Sequence, residues 1–387
     1  MLTHLHLAGP STRSELCEAT GLTRSSVAAL VGDLDEAGLV TETPTSSDGR
    51  PGRPSPRVGF ADGRAVLAME VLVDSVAAAW VSLGGQLLSV DRLDRPRTRI
   101  SVEDTIEDLV DLVIEGWETA GRPRLFAVGV AVSGLARRDT GEIVVAPNLG
   151  WKQVPVRRLL REHERLRSVI GSMDDVAIDV QSAGDSACLA EVRRGVARGH
   201  DDVIFVTAEV GLGGGLVSAG RLLRGAAGHG GEVSHMVVNP NGRLCACGAT
   251  GCWETEVGER ALLLSAGLDP AGGRAEVEVL LKRAADGDRA ALTAFAEAGR
   301  WLALGLANLS LVTNPQLLVL GGIYQRGFAY VEQVILREFR SRPLAPVREL
   351  KLVASTLEAN GSLVGASELA FDRVLTDPLG YAGALAG

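Results

Sequence analysis

The sequence predicts an α/β protein whose first sixty residues fold as a winged helix-turn-helix. Three observations carry this expectation. Thr12-Arg13-Ser14-Glu15 is a capping box that opens a pair of short helical stretches separated by Gly21. From Arg64 onward, extended apolar runs alternate with amphipathic helical ones, the pattern of a layered α/β domain. Between Gly211 and Glu254, three of the five cysteines and a Glu-x-x-His pair fall within one Gly-rich stretch.

The chain has 387 residues, 46% of them hydrophobic, enough for two or three domains with sizeable cores. No charged n-region leads into an apolar run at the N-terminus, and the most apolar helical stretch, Trp301 to Val312, is interrupted by Asn308 and Ser310. Neither a signal peptide nor a membrane span is therefore expected. Three cysteines grouped near a histidine point to a reducing compartment and metal ligation, with Cys17 and Cys188 as small apolar residues, so the expected location is the cytoplasm. The net charge of -9 excludes nucleic-acid binding over the whole surface, and any DNA contact must be a local basic patch.

Residues 1–58 are expected to be the DNA-binding domain. The helix opened by the capping box runs through Thr20, Gly21 makes the turn, and Thr23 caps the second helix. There Val27, Leu30, Val31 and Leu34 fall at i, i+3, i+4 and i+7 and form one buried stripe. The exposed first turn then offers Thr23, Arg24, Ser25 and Ser26, short polar and basic groups of the kind that read base edges in a major groove. Leu39 to Thr43 pairs as the wing. Arg50, Arg53 and Arg57 lie in GRPGRPSPR, where Gly and Pro hold an extended backbone that enters a minor groove or follows phosphates. Five arginines against seven acids over this segment suit a three-helix bundle for protein contacts instead; the placement of Arg24 and the wing arginines decides for DNA.

Beyond Arg64, Ala65 to Val73, Val76 to Leu83 and Gln86 to Asp91 read as hairpin-linked strands, Val102 to Thr119 as an amphipathic helix and Leu125 to Val132 as an apolar strand. Ala291 to Leu311 reads as a long apolar helix, Gln316 to Leu320 as a buried strand closed by Gly321-Gly322, and Gly361 to Val374 as a final helix, with a loose Gly/Ala-rich tail from Thr376.

The cysteines stand as Cys245-x-Cys247-x4-Cys252, with glycines at 248 and 251 and His235 ten residues upstream. This Cys3His set suits a closed, tetrahedral, structural zinc site, the alternative being three ordinary cysteines in a loop.

The run RGAAGHGGEVSHM followed by CACGATGCWE is similar to the signature of the ROK family, a group of sugar kinases and sugar-responsive repressors. The first sixty residues resemble the N-terminal half of ROK repressors: Gly-Pro, a capped helix, a Thr-Gly-Leu turn, a Ser/Thr-rich helix, and Gly-Leu-Val before a Gly-Arg-Pro wing. The chain starts nine residues before Pro10, so its first helix is expected to be about a turn shorter than in such repressors, trimmed or with the true start upstream.

The resemblance implies a two-lobed actin-like ATPase fold around a cleft. The first lobe would be 64–181, completed by the C-terminal helix 361–375, and the second would be 182–360, with the zinc loop and the sugar site. It also implies that Glu232, His235 and Glu254 touch sugar hydroxyls, His235 using one ring nitrogen for zinc and the other for the sugar. Gly134 of Val132-Ser133-Gly134 stands where the family has Pro-Gly. Asn148 matches the Asn of its Pro-Asn-Leu segment, and equally reads as a turn former.

On the kinase side this sequence departs from the family. Where the kinases carry Asp-x-Gly-Gly-Thr, Met69 to Asp74 has no glycine, and Leu72 and Val73 stand where phosphate should. The second phosphate loop, Glu209 to Gly215, lacks the hydroxyl donor, and Glu209 brings a negative charge toward a polyphosphate. Counting back from Leu189-Ala190-Glu191 puts Ala183 in the place of the catalytic Asp and Ser182 in that of the sugar-binding Asn; a shifted register would give Asp185 the base's role.

The expectation is thus a sugar-responsive repressor of carbohydrate-metabolism genes with no catalytic residues, its kinase activity lost. The alternatives are a sugar kinase with an appended DNA-binding domain and a pseudokinase that binds no DNA. Expected partners are operator DNA, a monosaccharide or sugar-phosphate effector, and further copies in a homodimer or homotetramer; the expected cofactor is zinc.

Overall fold

A computed structural model describes residues 1–44, 56–97, 100–344, 347 and 349–379. Arg50 and Arg53 of the expected wing lie outside the described residues. The chain divides into two compact units, one of Met1–Val130, Pro155–Val180 and Ala366–Gly387, the other of Ala131–Val154 and Gln181–Gly365.

The first unit begins with α1 (Leu2–Ala8), β1 (Ser11–Thr12), α2 (Arg13–Thr20), α3 (Arg24–Glu36), β2 (Val40–Thr43) and β3 (Arg57–Phe60), the strands pairing in the order β1-β3-β2. This is the predicted winged helix-turn-helix, built by local rules. Thr12 and Glu15 bond reciprocally as a capping box, Gly21 ends α2 in the left-handed region at φ 70°, and Thr23 accepts from the Ser26 amide to open α3.

Two details differ from expectation. Leu30 is 37% exposed, whereas Val27, Val31 and Leu34 are buried. At about 100° per residue those three lie within about 60° of one another, and Leu30 falls about 40° beyond Leu34, at the edge of the stripe. Arg57 is not part of a free arm: it starts β3, its Nε donates to the Pro10 carbonyl at 3.0 Å, and it stands 3.8 Å from Glu15.

Next come β4 (Arg64–Val71), β5 (Ser75–Ser82), β6 (Leu87–Asp94), α4 (Val102–Thr119) and β7 (Arg124–Val132). With β11 (Ala177–Ser182) they form a sheet in the order β11-β7-β4-β5-β6. Ser101 caps α4, and Ile106, Leu109, Val110 and Val113 bury its apolar stripe, as the period of the sequence requires. The hairpin register sets Glu70 opposite Ala77 and Ala77 opposite Arg92, so the small alanine lets Arg92 Nη2 reach the fully buried Glu70 carboxylate at 2.9 Å.

The winged helix is fastened to this sheet within the unit. Arg64 donates to the Ala37 carbonyl at 2.9 Å. His6 on α1, 2% exposed, sets Nδ1 3.4 Å from the Leu83 carbonyl and Nε2 3.0 Å from the Glu368 carboxylate, with its ring 4.2 Å from that of Phe371.

The second unit holds a small sheet of β8 (Leu135–Arg137), β9 (Glu142–Ala146) and β10 (Trp151–Val154). In sequence, α5 (Val156–Glu162) and α6 (Glu164–Ile170) return to the first unit, and after β11 comes α7 (Ala183–Arg193) of the second. The main sheet contains β12 (Val203–Ala208), β13 (Leu212–Ser218), β14 (Arg221–Leu222), β15 (Leu317–Gly322) and β16 (Leu352–Ala354), in the order β14-β13-β12-β15-β16. A helical layer covers it: α8 (Glu254–Val257), α9 (Glu259–Ser265), α10 (Gly273–Ala285), α11 (Arg289–Thr313), α12 (Ile323–Arg326) and α13 (Phe328–Arg340). Its core includes Trp253, Phe295, Leu302, Leu306 and Tyr324. The last helix, α14, is Gly361–Thr376. Among the described residues, no helix is long and apolar enough to cross a membrane.

Candidate metal centre and sugar site

From β14 to α8 the second unit has almost no regular structure beyond one 3-10 turn at Val233–His235 and two isolated bridges, Val237↔Cys252 and Leu244↔Thr250. The backbone turns on itself instead. The Cys245 amide donates to the Ala249 carbonyl and the Gly251 amide to the Arg243 carbonyl, both at 2.8 Å, with Gly248 and Gly251 in the left-handed region. This knuckle brings the thiols of Cys245, Cys247 and Cys252 and a ring nitrogen of His235 within 4.8 Å of one another.

The spacing fits a tetrahedral ion. Cys247 and Cys252 Sγ are 3.6 Å apart, and Cys245 Sγ is 3.6 Å from His235 Nδ1; bonds of about 2.3 Å to sulfur and about 2.0 Å to nitrogen imply ligand separations of about 3.5–3.8 Å. Burial, then the hydrogen bond to Glu254, pushes the Cys245 thiol up, an arrangement that a divalent cation reverses by stabilising the thiolate. His235 turns Nδ1 to the thiols, which leaves Nε2 for another partner.

Glu254 links this centre to its surroundings. Its Oε1 accepts from Cys245 Sγ at 2.9 Å and lies 4.0 Å from His235 Nδ1. Its other oxygen faces the β12–β13 turn: a Cβ on Gly211 would lie 2.9 Å from Glu254 Oε2 and 3.3 Å from Asn148 Nδ2. A residue with no side chain at 211 is therefore what allows that carboxylate and that amide to converge. Asn148 itself is exposed, in the turn between β9 and β10. Glu232 keeps access to solvent, yet the protein around it raises its carboxyl, with desolvation first, His235 opposing and Glu254 adding.

The other expected contacts are placed differently. Ser182 is the N-cap of α7, its hydroxyl accepting from the Asp185 amide at 3.1 Å. Gly134 packs where a Cβ would lie 2.5 Å from that of Ala146, so its lack of a side chain serves the approach to β9. Ala183 is the first residue of α7. Glu209 places Oε1 2.8 Å from where a Cβ of Gly322 would be, against the Gly-Gly turn that closes β15. On the winged helix, Thr23, Arg24, Ser25 and Ser26 are all exposed on the first turn of α3, Thr23 being engaged as its cap.

Gln181 and Arg224 were not expected in the site, and Asp185 was expected there only as the base of a shifted register. Arg224 Nη2 donates to Gln181 Oε1 at 3.0 Å. Asp185 is 6% exposed, and its carboxyl is pushed up to about 7 by burial, with Arg224 opposing and Glu232 adding. The available signal was an Asp on a helix whose next residues, Ser186 to Glu191, are all buried.

Comparison with known proteins adds to this geometry. A model of the ROK family matches residues 66–373, and one of the MarR family matches residues 1–51. The xylose repressor of Bacillus subtilis is 28% identical over 373 residues, covering 95% of this chain and 92% of that protein. The glucokinase of Streptomyces coelicolor is 29% identical over 318 residues, covering 76% of this chain and 94% of that protein. Among solved structures, a ROK family transcriptional regulator described as a homolog of the E. coli MLC protein superposes with a TM-score of 0.76 at 23% identity, covering 100% of this chain and 96% of that one, a likeness of fold.

Proposed function

The chain belongs to the ROK family, and on that premise we propose that it is a sugar-responsive transcriptional repressor that reads DNA with its winged helix and senses a monosaccharide in its second unit. The carrying observation is that likeness to a repressor runs over 95% of the chain, winged helix included, whereas likeness to a glucokinase covers 76%. In this reading Arg24, Ser25 and Ser26 meet base edges, capped and oriented by Thr23, while Arg50 and Arg53 follow the backbone. His235, Cys245, Cys247 and Cys252 hold a structural zinc ion, which fixes the loop. Glu232, Glu254, Asn148 and the free nitrogen of His235 bind sugar hydroxyls, with Ser182 and Gly134 supporting the walls.

Phosphoryl transfer is not part of the proposal. Ala183 supplies no carboxylate at the head of α7, and Glu209 sets a negative charge against Gly322. At the β4–β5 hairpin a buried Glu70, paired with Arg92 of β6, stands where a glycine loop would be needed. Loss of general-base assistance alone costs about 10²–10⁴ in rate. ATP with a sugar that binds should yield no sugar phosphate above background, and ordinary turnover would return the kinase reading.

The direct test is binding of the purified protein to its own upstream DNA, with and without a panel of neutral aldoses. A pseudo-palindromic site whose occupancy changes with one sugar is expected, and Arg24→Ala should weaken it by about 1–3 kcal/mol. Absence of binding at low salt would favour the pseudokinase alternative.

A further inference from the structure

Of the four side chains that converge at the metal centre, Cys247 is the exposed one: Cys245 is 4% and Cys252 0% exposed, and His235 is half-buried. A purely structural centre is best served by ligands shut away from solvent. Cys247 instead lies in a turn that the Gly248 amide closes on the Cys245 carbonyl at 3.0 Å, and the whole run from Ala246 to Thr250 is exposed. Its sulfur is 3.6 Å from that of Cys252. The two differ in how they are held. Cys252 is bridged to Val237 and followed by Trp253, which is fully buried and donates its indole N–H to the Trp301 carbonyl at 2.9 Å. Around the turn there is open space, since a Cβ on Gly248 would meet nothing within 4 Å among the described residues. The third thiol is occupied, Cys245 Sγ donating to Glu254 Oε1 at 2.9 Å. A reagent from solvent therefore reaches one sulfur first, and a second stands beside it on a fixed base.

We propose that Cys247 is a site of oxidation by peroxide, and that the disulfide it then forms with Cys252 expels the ion and loosens the loop that carries His235 and Glu254. This rests on the zinc reading. The Cys247 thiolate attacks one oxygen of hydrogen peroxide, the O–O bond breaks, and a sulfenic acid forms as hydroxide leaves. The Cys252 thiolate attacks that sulfur, the S–S bond forms, and a second hydroxide leaves. Two thiolates give up two electrons, the peroxide takes them, and two protons from solvent turn the two hydroxides into water. The sulfurs need to close from 3.6 Å to about 2.0 Å, a movement that the exposed turn makes toward the fixed Cys252. A disulfide offers no thiolate to a cation, so two of the four ligands are lost at once and the remaining Cys245 and His235 do not complete a tetrahedral site.

The test uses the full chain, purified under reducing, chelator-free conditions and then freed of reductant. With a small molar excess of hydrogen peroxide, about one zinc ion per chain should pass to a chromogenic chelator. Thiols titrated in denaturant should fall by two per chain, and mass spectrometry of unreduced peptides should place the disulfide between Cys247 and Cys252. Hydrogen exchange from Arg224 to Trp253 should quicken on oxidation, and dithiothreitol with added zinc should reverse every one of these changes. Cys247→His, which keeps four ligand side chains but removes the exposed thiol, should hold its ion through the same treatment, whereas Cys17→Ser and Cys188→Ser should release theirs as the unaltered chain does. Should Cys247→His bind no ion, the peptide map of the unaltered chain still decides. Zinc retained through the peroxide, or released without a Cys247–Cys252 disulfide, would overturn this inference and leave the metal centre standing. No zinc in the unoxidised protein would overturn both.

Discussion

Glu70 and Asp185 are both carboxylates removed from water, and they are treated in opposite ways. Glu70, fully buried in β4, meets Arg92 across Ala77 at 2.9 Å. Nearby, Asp74 meets Arg97 and Asp108 meets Arg95. Glu70, Asp74 and Asp108 are each paired with an arginine of the same unit, while among the described residues Asp91 Oδ2 and Ser89 Oγ on β6 are buried without a partner. In the second unit, Asp185 is held by Ser182 and by the nearby charge of Arg224 rather than by an ion pair, Glu232 is raised, and three thiols and an imidazole converge around room for an ion. The first arrangement is closed and serves the fold; the second is open and calls for partners from outside. Since a buried charge is stable only when paired, the contrast separates structural charge from charge held for a ligand.

Arg92→Ala tests the closed side and should have the largest effect, about 3–5 kcal/mol of lost stability by denaturant unfolding, because it strands a buried carboxylate. A loss below about 1 kcal/mol would mean that Glu70 is compensated some other way. On the open side, the protein as purified should carry about one zinc ion per chain, and Cys247→Ala should lose it together with protection of the Arg224 to Trp253 loop from hydrogen exchange, with a smaller fall in global stability. Metal analysis that finds none in chelator-free preparations would end the zinc reading.

The smallest effect has the opposite sign. Asp185 is raised from 3.8 to about 7 on folding, so between those values the folded chain binds more protons than the unfolded one and stability falls as pH rises. Asp185→Asn should therefore stabilise the ligand-free protein at pH 8, by about 1–3 kcal/mol, and not at pH 4. A variant less stable than the unaltered chain at pH 8 would place Asp185 with Glu70, as a structural group.

What could be read from the sequence was whatever a few neighbouring residues decide. Thr12 with Glu15, Thr23 and Gly21 set the helix ends of the winged helix, and the apolar period of α4 fixed it at Val102–Thr119. The metal ligands were legible because three of the four lie within eight residues. The Glu70–Arg92 pair was not, since it depends on the register of three strands. Leu30 failed because a stripe has edges that spacing alone does not locate. Asp185 was legible only as the base of a shifted register: an acid three residues after a Ser cap otherwise reads as ordinary helix-opening chemistry, and only folding shows that it is buried beside Glu232.

The hold that α14 has on α1 through His6 has a bearing on how the protein is made. His6 is made 362 residues before Glu368, which with Phe371 encloses its ring. At about 5–20 residues per second, roughly 20–70 s separate their appearance on a ribosome. Throughout that interval the first helix lacks its seat, and it gains one only when the final helix arrives. A nascent winged helix thus meets the cell unfinished, and completion of its anchoring coincides with completion of the sensor to which it answers.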